Sequence, residues 1–187
     1  RTPIPQLFLA RIEDPLLTLW IYILVLALLW RFFRRPSVRG GIILGAATGL
    51  LLYFYLYYWL FAVTLAGLLF AVAYAARIRT GEESVRPWLA AALTIAVLSA
   101  PYVANFIAFQ RLPSAAEQVI RVGFEAGWGI RLSVWRDYLA YAVFAAAAYL
   151  LFRRRDRRAL AFVLMALAAM ALLWNLQLFV GWNLPPD

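Results

Sequence analysis

Three arginines, Arg121, Arg131 and Arg136, fall in or beside the one long polar connection of the chain, residues 110–137. Planar guanidinium groups gathered in one segment can clamp a lipid monophosphate or diphosphate through charge-assisted, often bidentate hydrogen bonds. The competing reading is pairing at four-residue spacing with Glu117 and Glu125, together with contact to anionic headgroups. Asn175 and Gln177, near the far end of the last apolar run, have the amide chemistry to hold a sugar hydroxyl, or simply to hydrogen-bond across helices. Glu13-Asp14, just before Pro15, can act as a base or bind Mg²⁺ at a helix mouth, and can equally cap the helix. Other chemistry is scarce. All 18 basic residues are arginine, and there is no histidine, cysteine or lysine. The common zinc ligands, the commonest general base, thiolate chemistry and Schiff-base chemistry are therefore excluded. No metal site and no catalytic residue can be assigned from these residues, and no cofactor is evident. A divalent cation, if one is used, would have to be supplied by a part of the protein outside this sequence.

The elements that must position these groups are apolar. The composition is 66% hydrophobic and 14% charged, with a mean hydropathy of +0.79, far from that of soluble domains. The uncharged run from Gly40 to Ala76 holds 37 residues. A bilayer core about 30 Å thick takes roughly 20 residues at about 1.5 Å each, so the run predicts two spans folded back on each other. The turn is expected in the aromatic cluster Tyr53, Phe54, Tyr55, Tyr57, Tyr58 and Trp59, since such rings settle at headgroup level. Gly41, Gly45 and Gly49, four residues apart on the first arm, predict a close helix–helix seam.

The whole chain reads as all-α: a polytopic transmembrane helix bundle of about six spans plus one short interfacial helix, in a single transmembrane region covering residues 1–187. The spans are expected near 16–33, 41–56, 59–76, 88–109, 134–152 and 159–180. The fourth holds Pro101, which removes a backbone hydrogen bond and predicts a kink near residues 97–101, with Asn105 one turn on to satisfy the freed groups. The alanine-rich fifth, with Ala140, Ala142 and Ala145 to Ala148, is expected to pack closely. Ser114 and Glu117 form a capping box that predicts the interfacial helix over 115–124. Glu82, Glu83 and Asp156 read as loop solvation.

Twelve arginines lie in the segments 31–39, 77–86 and 153–158 and six on the opposite side, which turns the first group toward the cytoplasm. Both ends of this sequence, the aromatic turn and the 110–137 connection are then extracytoplasmic. The expected setting is a bacterial inner or plasma membrane, multi-pass. The arginines lie in short loops between spans, so the partner they imply is the lipid bilayer and not nucleic acid. A first residue of Arg1, and an ending at Pro185-Pro186-Asp187 straight after an apolar run, predict a piece of a longer protein.

The aromatic turn Tyr53 to Phe61, the connection with Arg121-Val122-Gly123 and Gly129-Ile130-Arg131, and the ending Asn175-Leu176-Gln177 with Gly181-Trp182-Asn183-Leu184-Pro185-Pro186 together resemble a known pattern. It is that of bacterial multi-pass membrane proteins of the GT-C glycosyltransferase type, relatives of the polyprenol-phosphate-dependent mannosyltransferases. The resemblance implies a many-helix membrane fold that takes a sugar from a polyprenol-phosphate-linked donor on the outer face and passes it to an acceptor. In that family the essential acidic residue lies in a first outward loop. Glu13 and Asp14 do not match that position, so no catalytic residue carries over. The alternatives are a non-enzymatic membrane scaffold or transporter subunit, and a polymerase or ligase of surface polysaccharide.

Overall fold

The computed structural model describes residues 15–80, 85–111, 125–126, 135–175 and 182–183. Among them are six helices: α1 (Pro15–Arg34), α2 (Val38–Phe54), α3 (Leu56–Thr80), α4 (Arg86–Gln110), α5 (Trp135–Phe152) and α6 (Arg157–Trp174). One two-residue antiparallel pair, β1 (Glu125–Ala126) with β2 (Trp182–Asn183), is the only extended pairing among the described residues. The all-α expectation holds. Two helices contain stretches long and apolar enough to cross a membrane, Leu56–Ala76 in α3 and Arg86–Ala108 in α4, with 21 and 23 residues. At about 1.5 Å per residue each matches a hydrocarbon core about 30 Å thick. The interfacial helix expected over 115–124 lies outside the described residues, as do Glu13, Asp14, Glu82 and Glu83.

The chain forms two compact units whose boundaries fall inside α3 and α4: residues 1–63 with 84–102, and residues 64–83 with 103–187. In the first unit α1 packs on α2. Its buried stripe runs Thr18, Val25, Leu29 and Phe32, with Tyr22 packed against the same cluster. Steps of seven, four and three residues keep those side chains on one face of a helix. α1 stops just before Pro36, because proline disfavours helical geometry in the residue before it. Ser37 then restarts the chain, its side-chain oxygen accepting from the Gly40 N–H at 3.0 Å as the N-cap of α2.

α2 ends at Tyr55, the single extended residue before α3, inside the expected aromatic turn. Leu51 and Ala62 share one buried cluster with Val25. The extended backbone at Tyr55 breaks the helix there, and residues from both sides of the break reach that cluster. The turn is also more than a belt of rings at a surface. Tyr58 stacks on Tyr22 of α1 at 4.4 Å between ring centres and 19° between planes, and Phe61 meets the same Tyr22 edge-on at 6.0 Å. Aromatic pairs of this geometry contribute about 0.5–1.5 kcal/mol each beyond their buried area.

The glycine seam is closed, and its partner is α4. A Cβ on Gly41 would collide with the Pro87 carbonyl oxygen. On Gly45 it would stand 2.6 Å from the Ala91 carbonyl oxygen and 2.7 Å from Thr94 Cβ, and on Gly49 2.8 Å from Leu98 Cβ. The two backbones approach too closely for any side chain larger than hydrogen. The helix of α4 continues through Pro101. In the turn just before that proline the Tyr53 hydroxyl, from α2, donates to the Leu98 carbonyl at 2.8 Å. Asn105, expected to satisfy the groups that Pro101 frees, is exposed.

In the second unit α5 and α6 pack together across the connection 153–156. Asp156 caps α6, its Oδ1 accepting from the N–H groups of Arg158 at 3.0 Å and Ala159 at 2.9 Å. A carboxylate at a helix N-terminus also opposes the positive end of the helix dipole, so Asp156 has a structural role beyond loop solvation. The expectation for the alanines of α5 needs correction. Ala148 is buried, while Ala140, Ala142, Ala146 and Ala147 are exposed. Alanines at those positions, about 100° apart per residue, spread around the helix and form no single seam.

Candidate functional site

Two of the five candidate binding residues, Arg136 and Asn175, lie in the described part of the second unit, and Arg121, Arg131 and Gln177 lie outside it. Arg136 sits in the first turn of α5, is exposed, and has its guanidinium 5.6 Å from the centre of the Trp135 ring. Stacking of this kind holds the planar fork in one orientation and leaves its N–H edges open to an acceptor. Asn175 ends α6, with its backbone N–H shared between the Ala171 and Leu172 carbonyls at 3.2 Å each.

The Asn175 side chain crosses to α5. Its Nδ2 donates to the Tyr138 hydroxyl at 2.7 Å and back to the Ala171 carbonyl at 2.8 Å. Both amide hydrogens are thus committed, while Oδ1 is buried with no partner among the described residues. A buried amide oxygen without a donor costs about 1–3 kcal/mol. The arrangement therefore suits a hydroxyl or water that donates to Oδ1. Tyr138 carries no signal of its own in the sequence, yet counting reaches it. In two antiparallel helices joined at 153–156, the first turns of α5 must lie beside the last turn of α6.

The strand pair adds a second juxtaposition in the same unit: Glu125 faces Asn183 and Ala126 faces Trp182. Among the described residues no three His, Cys, Asp or Glu side chains converge as metal ligands would. No protein-family model matches the chain, and no curated protein or solved structure matches it either.

Proposed function

We propose that the chain is part of a polytopic membrane protein that handles a polyprenol-phosphate-linked sugar on its extracytoplasmic side, as a glycosyltransferase of the GT-C type would. The membrane reading is supported by apolar surface turned outward on α4, which holds a stretch of spanning length, and on the shorter apolar α5. On α4, Leu89, Leu93 and Val97 are 60%, 67% and 62% exposed, and on α5 Leu139, Val143 and Leu150 are similarly bare. Contiguous apolar faces of this kind are rare on soluble monomers and usual against lipid.

The observation that carries the substrate reading is Asn175. It is an amide held by Tyr138 and the Ala171 carbonyl, whose Oδ1 is a buried acceptor without a partner among the described residues, at the end of α6 beside the first turns of α5 that carry Tyr138 and Arg136. Under this reading the amide oxygen takes a sugar hydroxyl. Arg136, with Arg121 and Arg131, takes the carrier phosphate, and Gln177 adds a second amide. A transporter would call for helices interrupted at mid-membrane depth. The unbroken course of α4 through Pro101 gives that alternative less support.

The test is binding of a polyprenol-phosphate sugar to the detergent-purified protein, followed by thermal stability and by tryptophan fluorescence. Arg136→Ala should weaken binding about tenfold or more while leaving the melting temperature of the unliganded protein nearly unchanged. A lost charged contact costs about 1.5–3 kcal/mol, and Arg136→Lys should recover part of it because an ammonium lacks the planar fork. If neither binding nor stabilisation by such a donor can be measured, the glycosyltransferase reading fails and the scaffold or transporter reading replaces it.

A further inference from the structure

In the first unit, where α1 passes into α2, a cleft of about 170 Å³ opens between the two helices. Arg31, Arg35 and Arg39 line it, and all three are exposed. The described part of this unit contains no Asp or Glu. Like charges brought together without a counter-charge repel. Two of the three, Arg31 and Arg35, lie at the C-terminal end of α1, where a cation is favourable, but Arg39 stands in the first turn of α2, where it is not. That first turn holds no acidic residue. Ser37 satisfies the Gly40 N–H, and the N–H groups of Val38 and Arg39 take no acceptor among the described residues. Charge, dipole and open donors thus all ask for an anion.

The remaining walls are apolar: Leu28, the buried Phe32 and Ile43, the last 49% exposed. A free anion gains nothing from such walls. An anion carrying a hydrocarbon tail does, because its phosphate can sit among the guanidinium groups while the chain lies along Leu28 and Ile43. We infer that this cleft binds the phosphate headgroup of an acidic phospholipid, with the acyl chain against the α1–α2 groove. The inference rests on the membrane part of the proposed function and is independent of the glycosyltransferase part. The bound lipid offsets part of the repulsion among the three arginines, supplies an anion that the start of α2 lacks, and so ties α1 to α2.

The experiment uses the chain in phosphatidylcholine nanodiscs, with phosphatidylglycerol added in steps and the melting temperature as readout. Ligand that binds only the folded state raises it. A rise of several degrees with phosphatidylglycerol is expected. Most of that rise should vanish in Arg31→Gln/Arg35→Gln/Arg39→Gln, and most should persist in Arg154→Gln/Arg155→Gln/Arg157→Gln, which removes the same charge elsewhere. Arg39→Gln alone gives the sharper signature. It should hold or raise the melting temperature in neutral discs, by relieving the dipole, while shrinking the phosphatidylglycerol increment, and it keeps the test decisive should the triple variant fold poorly. Equal losses in the two triple variants would overturn the inference in favour of diffuse charge attraction. Inorganic phosphate reproducing the whole rise would overturn the lipid assignment. A chain that resists membrane incorporation altogether would instead sink the membrane reading on which this rests.

Discussion

The glycine seam of α2 and the alanine-rich stretch of α5 look alike as sequence and behave differently as structure. Both are runs of small residues in apolar helices, and small residues let helix backbones approach. Only the first does so along its length. Gly41, Gly45 and Gly49 recur at one spacing and meet Pro87, Ala91, Thr94 and Leu98 of α4 in close backbone contact. The alanines of α5 follow no such period, and among them Ala148 is buried while four are exposed. Periodicity, more than small size, makes a seam, because only residues sharing a helix face can meet the same neighbour.

The largest test of this contrast is Gly45→Leu. Its side chain would have to displace the Ala91 backbone, and overpacking of this sort costs about 1–3 kcal/mol, with the upper end expected where the obstacle is main chain. A thermal melt in detergent should show a lowered midpoint and a reduced folded yield. An unchanged midpoint would mean that the seam is not closed. Tyr53→Phe sharpens the same side of the comparison, since it removes the bond to the Leu98 carbonyl without changing shape. A loss of about 0.5–1.5 kcal/mol is expected, and none at all would show that the bond does not contribute to the α2–α4 contact.

Gly67 is the control glycine within α3. A Cβ there meets nothing within 4 Å, so Gly67→Ala should stabilise by up to about 1 kcal/mol through helix propensity. A destabilisation of Gly45 size at this position would show that any glycine in these helices is sensitive, and would remove the distinction. The smallest effect belongs to α5: Ala146→Leu, on an exposed position, should change stability by no more than about 0.5 kcal/mol. A large loss there, measured in the same detergent melt, would place α5 against a neighbour through its alanines after all.

Much of the candidate site was visible in residue types and little of it in partnerships. Asn175 stands out as a polar group at the end of an apolar run, and its placement near a helix terminus follows from that run alone. That its Nδ2 would be taken by Tyr138 required the register of α5 against α6. The three arginines of the α1–α2 turn, by contrast, read as ordinary topology signals. Only the fold showed that they share one cleft with the start of α2.

The sequence by itself determined the helices and most of their limits, because these depend on neighbours along the chain: apolar runs without charge, Pro36 after α1, Ser37 before α2, Tyr55 among its aromatic neighbours; the sixth helix, expected over 159–180, ends instead at Trp174. It also determined the glycine face, since a spacing of four fixes which residues share a side. What only the tertiary structure decided was which surfaces meet. Gly45 finds Ala91, Tyr58 finds Tyr22, Tyr53 finds the Leu98 carbonyl, and Ala146 is left exposed. Those choices join residues tens of positions apart. They are set by the side chains of both partners at once, and no single segment holds that information.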